Sequence, residues 1–134
     1  MRVARVKREL HHDTRSAFLE VIEFSNLTFL PQRVYWMHNF TSETTRGNHA
    51  HKSLRQLFVL MRGSIHLEIR DDSSSQTFIL NEESDHILLE PGYWRIIREA
   101  SQDAILLVLA DQPYDESDYI RDWQAFLDWR KNRG

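Results

Sequence analysis

Short apolar clusters recur along this chain at intervals typical of β-strands joined by turns. Ile65, Leu67 and Ile69 alternate with polar residues, which predicts a strand with one buried face. The mostly apolar run at 56–61 instead predicts a strand buried on both faces. The predicted strands are 19–24, 33–38, 56–61, 64–70, 76–80, 85–90, 94–98 and 104–110, together with one that carries His49 and His51.

The last segment of the chain changes to a helical period. Its stripe consists of Tyr119, Trp123, Phe126, Leu127 and Arg130. Residues 115–118 supply the carboxylates and the capping side chain that a helix prefers at its N-terminus. Many short antiparallel strands followed by one helix predict an all-β jelly-roll barrel, with the C-terminal α-helix packed on its outside.

Composition narrows the class of protein. A length of 134 residues fits a single domain, 1–134, and a net charge of -3 offers no broad cationic surface for nucleic acid. No apolar stretch is long enough to span a membrane, and Met1 leads into charged residues rather than a signal-peptide core. The chain has no cysteine, so thiol chemistry is excluded. We therefore expect a cytoplasmic protein that binds neither nucleic acid nor membranes.

The most informative motif places Gly47, His49, His51, Gln56 and Gly63 at the spacing of the first motif of the cupin barrels. Residues two apart in a strand point to the same side, so the two histidines can share a pocket. Cupins that bind a metal have a glutamate where this chain has the glutamine, which is a poor ligand for divalent metals.

The second cupin motif, residues 90–95, ends in Arg95 where a metal-binding cupin has a histidine. A guanidinium has no lone pair to offer and repels a cation. We therefore predict no metal site. A metal site completed by an unrecognised third ligand remains an alternative, as do two histidines with a purely structural role.

Acid–base chemistry fits these residues better. A neighbouring guanidinium favours neutral imidazole, which can accept a proton, and could also stabilise a developing oxyanion. Arg46 lies directly before the histidine strand, where it could clamp a phosphate or carboxylate. His86, at the start of a predicted strand, is expected on the surface. Proton abstraction next to a carbonyl, without a redox cofactor, is the predicted chemistry.

Four motifs together resemble the sugar 3,4-ketoisomerases, the WxcM-like, metal-free cupins that act on dTDP-4-keto-6-deoxyglucose. They are R-V-Y at 33–35, R-G-x-H-A-H-K at 46–52, G-S at 63–64 and Y-D-E-x-D-Y-I-R at 114–121. The resemblance implies an enzyme without a cofactor that moves the carbonyl of this dTDP-linked sugar from C4 to C3. The product would feed the synthesis of a deoxyamino sugar for a glycan or antibiotic.

The resemblance also implies roles for individual residues. His51 would remove the C3 proton with help from His49, while Tyr35, Arg15 and Arg95 would line the sugar pocket. The implied substrate-binding residues are Arg46 near the pyrophosphate, Tyr114 and Arg121 towards the nucleotide, and Gln56. The family forms homodimers that exchange N-terminal strands, so the same assembly is implied here.

The positions of Arg15 and Arg95 bear on product stereochemistry. In the family, an arginine–histidine pair at these positions goes with the galacto product and a tyrosine–arginine pair with the gluco product. This chain has half of each pair, so both C4 configurations remain open. Two further hypotheses are a cupin epimerase of nucleotide sugars, which also uses a histidine base, and a non-catalytic cupin that senses sugars.

Overall fold

Short strands are the predominant secondary structure in this computed structural model, which describes residues 1–12 and 17–133. The strands are β1 (Val3–Val6), β2 (Glu9–His12), β3 (Phe18–Val21), β4 (Arg33–Met37), β5 (Arg46–His51), β6 (Gln56–Arg62), β7 (Ser64–Arg70), β8 (Ser75–Asn81), β9 (His86–Leu89), β10 (Trp94–Arg98), β11 (Ile105–Ala110) and β12 (Tyr119–Ile120). The helix α1 spans Trp123–Arg133, and 3-10 turns occur at Phe24–Asn26 and Glu116–Asp118.

Two five-stranded antiparallel sheets form the body of the protein. Their orders are β1-β9-β6-β11-β4 and β12-β5-β10-β7-β8, and β2 pairs with β3 in a separate hairpin. The predicted all-β jelly roll with a C-terminal helix is confirmed. Within the described ranges, however, no strand pairing joins the two large sheets, so they form a sandwich rather than a hydrogen-bonded closed barrel.

Alternate side chains of β6 point to opposite sides of its sheet and pack into different core clusters. On β6, Phe58 and Leu60 belong to the main core cluster, whereas Leu57 and Val59 pack into a second cluster. This double burial explains the continuous apolar run in the sequence. Gln56 has the same parity as the main-core residues of its strand and is also buried.

The C-terminal helix begins later than its stripe predicted. Tyr119 and Ile120 are extended and pair with His51 and Ala50 of β5, so the prediction of a helix from Tyr119 is wrong. Asp122 caps the helix instead, accepting a hydrogen bond of 2.9 Å from the Ala125 N–H. Pairing with β5 is possible at 119–120 because that edge of the second sheet is open.

Other differences are local. Strands β1 and β2 were not predicted, and the predicted strand 19–24 ends at Val21 before a 3-10 turn. His86 is buried rather than on the surface. In the ranges described here, no helix has both the length and the apolar character to cross a bilayer.

Phe126 joins the helix to the sheet, and we predict a large loss of stability when it is truncated. Its ring is fully buried, with its centroid 5.6 Å from that of Trp94 and 5.2 Å from that of Trp123. Phe126→Ala should lower the free energy of unfolding by about 3–5 kcal/mol, because it leaves a cavity between helix and sheet. Urea unfolding followed by tryptophan fluorescence measures this.

The matched control is Gln124→Ala on the same helix. Gln124 is exposed and donates one hydrogen bond to Asp128 at 3.2 Å, so its removal should cost about 0.5 kcal/mol or less. Equal losses for the two variants would contradict the assignment of Phe126 to the helix–sheet core.

Candidate active site

A cavity of about 480 Å³ lies between the two sheets at the β4 and β5 end. Among the residues that the structure describes, four that line the cavity are arginines and none is a carboxylate. The described lining residues are Arg33, Tyr35, Trp36, Met37, Thr45, Arg46, Gly47, His49, Phe58, Arg95, Ile97, Tyr119 and Arg121. A cavity of this size and charge suits an anionic small molecule.

Strands β5 and β10 bring the central residues of the cavity together. Arg95 pairs directly with His49 across the two strands, and the register shifts after Arg95. Gly47 lies at this irregularity with a φ of +89°, and a Cβ there would come within 2.8 Å of the Arg95 carbonyl oxygen. A glycine is therefore required for the close approach of the two strands.

His49 is the histidine that faces the cavity. Its Nδ1 is buried, which leaves Nε2 for contact with a ligand. Burial, reinforced by the charge of Arg95, lowers the pKa of His49 to about 4. The imidazole is therefore neutral at pH 7 and can accept a proton.

His51 lies behind His49 and is not part of the cavity lining. Its side chain is 1% exposed, and its ring is perpendicular to that of His49 with centroids 4.9 Å apart. Its Nδ1 lies 3.0 Å from Oδ2 of Asp118. Burial, with the charge of Arg95 second, lowers the pKa of His51 to about 3. The two histidines do share one side of the strand, but at different depths.

Arg95 is a buried cation without an ion-pair partner among the residues described. Its guanidinium donates hydrogen bonds to Oε1 of Gln56 and, at 3.1 Å, to the Tyr93 carbonyl. Burial lowers its pKa to about 10, so it remains charged at pH 7. The Asp118 carboxylate interacts with this charge electrostatically but forms no ion pair with it, so the guanidinium remains available to the cavity.

Tyr35 completes the network around Arg95. Its hydroxyl oxygen accepts a hydrogen bond of 2.9 Å from Nε2 of Gln56, so the hydroxyl proton is available to a ligand. Burial raises the pKa of Tyr35, which keeps the phenol protonated. Gln56 itself does not line the cavity; it orients Tyr35 and Arg95.

The cavity mouth carries stacked aromatic and cationic groups. The Arg121 guanidinium lies 4.2 Å from the ring centroid of Tyr119, and it forms hydrogen bonds of 2.7 and 2.9 Å with Glu116. Tyr114 is exposed, its ring lies tilted against that of Tyr119 with centroids 5.7 Å apart, and its hydroxyl donates a hydrogen bond to Glu116. Arg46 lines the cavity on the β5 side.

The residues predicted for the site fall into three groups in the structure. Tyr35, Arg46, His49, Arg95 and Arg121 line the cavity. Gln56, His51 and Tyr114 lie next to it without lining it. Arg15 falls outside the described residues. The roles assigned to all of these residues stay predictions.

Several residues near the cavity were not predicted, and three of them bear on its charge and hydrogen bonding. Tyr119 and Arg33 line it, and Asp118 contacts His51 from behind. Tyr119 could not be distinguished from the helical stripe, in which it occupies the first position. The Y-D-E-x-D-Y-I-R motif contains both Asp118 and Tyr119 and was the available signal.

The donor set does not fit a metal ion. In the portion of the chain that is described, no three His, Asp or Glu side chains cluster in a way that could hold one. His49 and His51 supply two imidazoles, but the Arg95 cation lies beside them. A positive charge at that distance opposes the binding of a divalent cation.

A jelly roll whose cavity contains a neutral histidine, a buried arginine and further arginines has the architecture of a cupin. The family model described as "FdtA: WxcM-like, C-terminal" matches residues 1–131. The chain therefore belongs to the WxcM-like, C-terminal (FdtA) family.

Similar proteins of known name support this family assignment. The chain is 33% identical over 114 residues to the TDP-4-oxo-6-deoxy-alpha-D-glucose-3,4-oxoisomerase of Aneurinibacillus thermoaerophilus, which covers 85% of this chain and 82% of the relative. It superposes with a TM-score of 0.92 on a mutant of the 3,4-ketoisomerase QdtA from Thermoanaerobacterium thermosaccharolyticum in complex with TDP-4-keto-6-deoxyglucose. The identity there is 31%, over 98% of this chain and 95% of that one.

A more distant similarity shows the fold alone. The dTDP-4-dehydrorhamnose 3,5-epimerase of Bacillus anthracis matches with a TM-score of 0.77 at 17% identity, over 88% of this chain and 77% of that one. The cupin fold is thus shared between these two kinds of protein.

The depressed histidine pKa values predict acid sensitivity. Histidines in the unfolded chain take up protons below a pKa of about 6.5, whereas His49 and His86 resist protonation until about pH 4 and His51 until about pH 3. The unfolded state then binds more protons than the folded state, so the free energy of unfolding should fall as pH drops from about 6.5 towards 4. Urea unfolding at a series of pH values measures the slope.

The variant His49→Gln provides the control. It removes one of the groups that titrate only in the unfolded chain, so its stability should depend less steeply on pH in this window. A variant slope equal to that of the wild type would show that His49 does not contribute.

Proposed function

We propose that this protein is a 3,4-ketoisomerase that moves the carbonyl of a dTDP-linked 4-keto-6-deoxy sugar, such as dTDP-4-keto-6-deoxyglucose, from C4 to C3. The observation that carries the proposal is the cavity in which the neutral His49 lies beside the buried cation Arg95, with Tyr35 as a second hydrogen-bond donor. The named activities of its relatives support the same substrate class.

His49 is the base in this proposal. It faces the cavity, whereas the side chain of His51 is buried behind it. This exchanges the two roles that the family resemblance implied. The place of His49 in the cavity lining supports this assignment, since a base must come within hydrogen-bonding distance of the proton that it removes.

Arg95 and Tyr35 stabilise the intermediate. When His49 takes the proton from C3, the electrons of that bond form a C3–C4 double bond, and the C4 carbonyl oxygen becomes an oxyanion. A buried guanidinium and a phenol proton are both suited to a developing negative charge in a site of low polarity. Neither group needs to change its protonation state to do so.

The second half of the reaction completes the carbonyl shift. A proton returns to C4, the O3 hydroxyl loses its proton, and the oxygen at C4 gains one. The substrate and product have the same atoms and the same oxidation level, so no redox cofactor is consumed.

The arginines at the cavity mouth hold the nucleotide diphosphate. Arg46 lies on the β5 side and Arg121 on the β12 side, with Arg33 between the rings of Tyr35 and Tyr114. Guanidinium groups bind phosphate oxygens with paired hydrogen bonds, and the tyrosines offer faces for a base to stack on. Since nucleotide sugars are made from intracellular nucleotides, we propose that the protein acts in the cytoplasm.

Incubation with dTDP-4-keto-6-deoxyglucose in heavy water tests the activity. We expect deuterium at a ring carbon and a 3-keto product, both visible in one NMR spectrum that also reports the C4 configuration. His49→Gln should lower kcat/KM by roughly 10²–10⁴-fold, because the general base is lost. His66→Gln, on β7 outside the cavity lining, is the matched control and should keep full activity.

Each rival function gives a different result in this experiment. Exchange without carbonyl migration indicates the epimerase, and tight binding with neither exchange nor turnover indicates the sugar-sensing cupin. Activity that depends on stoichiometric bound iron, manganese or zinc indicates the metal-dependent cupin. Any of these outcomes removes the ketoisomerase proposal.

We further propose a homodimer. Strand β4 is an edge of the first sheet, and its residues Val34 and Trp36 are exposed. The β2–β3 hairpin also exposes apolar residues, including Leu10 and Leu19. A free edge and exposed apolar side chains are features that a second copy of the chain would cover. Because β1 pairs with β9 of its own chain, the hairpin is the candidate for exchange.

Leu19→Asp should break this dimer, since a carboxylate in a buried contact is strongly unfavourable. Light scattering after size exclusion should show the mass change from twice the 16.0 kDa chain mass to the single chain mass. Ile79→Asp is the control. Ile79 is 65% exposed and Leu19 is 63% exposed, but Ile79 lies on β8 of the second large sheet, away from the hairpin and from β4. A monomeric wild type, or equal effects of both variants, would contradict the proposed interface.

A further inference from the structure

Asp118 is held in a fixed orientation by Ser53. Its Oδ1 accepts hydrogen bonds from the Ser53 N–H at 2.8 Å and from the Ser53 hydroxyl at 2.7 Å. The Asp118 carbonyl accepts a third bond, from the Lys52 N–H at 3.0 Å. Backbone and side chain are thus both attached to the segment that follows β5. The carboxylate cannot rotate without breaking these bonds.

The other carboxylate oxygen faces His51. Oδ2 lies 3.0 Å from Nδ1 of His51, and the two side chains are 9% and 1% exposed. The bonds from Ser53 and His51 lower the pKa of Asp118, against the effect of burial. An ionised carboxylate can only accept a hydrogen bond, so the His51 Nδ1 must carry the proton.

With the proton on Nδ1, the other ring nitrogen of His51, Nε2, has a lone pair that can accept a hydrogen bond. Nε2 is buried and has no hydrogen-bond partner in the described part of the chain. A buried polar atom without a partner costs free energy, so a histidine with a purely structural role would not be expected to leave it unpaired. The His49 ring is its neighbour, with centroids 4.9 Å apart, and Nδ1 of His49 is also buried without a partner among the described residues.

We propose that Asp118 is a positioning residue for the isomerisation: it holds the Nδ1 proton of His51, so that Nε2 presents a lone pair behind the base His49. The inference rests on the proposed function. When His49 takes a proton from the sugar, its new positive charge lies beside Arg95 and needs a compensating acceptor. The His51–Asp118 pair supplies a lone pair backed by a full negative charge.

Asp118→Asn tests the inference because the geometry fixes the orientation of the new amide. The Ser53 N–H can only donate, so the amide oxygen must occupy the place of Oδ1, and the amide nitrogen then faces His51. An N–H₂ group in that position requires Nδ1 of His51 to accept. The ring proton moves to Nε2, and the lone pair behind His49 is lost.

The first measurement is the ¹⁵N NMR pattern of the imidazole rings in the ligand-free protein at neutral pH. The wild type should show His51 protonated at Nδ1, and Asp118→Asn should show it protonated at Nε2. The His51→Gln spectrum identifies the signals. Protonation of the wild-type His51 at Nε2 would overturn the inference, whatever the enzyme's substrate proves to be.

The second measurement compares the effect of the substitution on kcat with its effect on KM. Asp118→Asn should lower kcat by about 10²–10⁴-fold while KM changes little, since Asp118 does not line the cavity. Asp115→Asn is the matched control, because it makes the same change three residues earlier. Asp115 caps the 3-10 turn by accepting from the Ser117 N–H, which an amide oxygen also does, and its kcat should remain that of the wild type.

The outcomes separate this inference from the proposed function. A reversed tautomer with an unchanged kcat would remove the role of Asp118 and leave the ketoisomerase intact. A wild type that turns over no keto sugar would refute the ketoisomerase, while the NMR result would still decide the tautomer. Should Asp118→Asn fail to fold, Ser53→Ala must lower kcat with the tautomer retained, and an unchanged kcat would overturn the inference.

Discussion

The site depends on the buried cation Arg95, which forms no ion pair with any of the described carboxylates. Arg95 is 2% exposed and is held by an amide oxygen and a backbone carbonyl rather than by an ion pair in the described structure. Its charge helps to keep His49 and His51 neutral and opposes a metal ion beside them. The same charge is available to an oxyanion. One side chain thus accounts both for the protonation state of the histidines and for the chemistry that we propose.

Strand alternation links this site to the stability of the fold. On β10, Arg95 points inwards while Trp94 and Ile96 pack under the helix, and on β5 Ala50 packs there while the histidines point inwards. The apolar cluster around Phe126 of the helix therefore packs on the outer face of β5 and β10. The inner face of the same two strands carries the site. The close approach at Gly47 fixes their separation. Packing on one side of a strand sets the geometry of the chemistry on the other.

The sequence predicted the fold, and eight of the nine predicted site residues lie in or next to the cavity, because those features follow from periodicity and motif spacing. The spacing of His49 and His51 placed both on one face, but it could not predict that His51 is buried, since that depends on β12, which pairs with β5 beside it. Tyr119 fits a helical stripe as well as a strand, so local pattern alone gave the wrong structure there. Gln56 carried no sign that it would orient Tyr35 and Arg95, because both contacts join distant segments.

The contact between His51 and Asp118 joins residues 67 positions apart in the chain. During synthesis, β5 and β10 leave the ribosome well before the 3-10 turn and β12 that complete the region behind His49. A nascent chain can therefore form much of both sheets while still lacking the carboxylate that orients His51. The order of translation therefore delays completion of this region until Asp118 and β12 have been made.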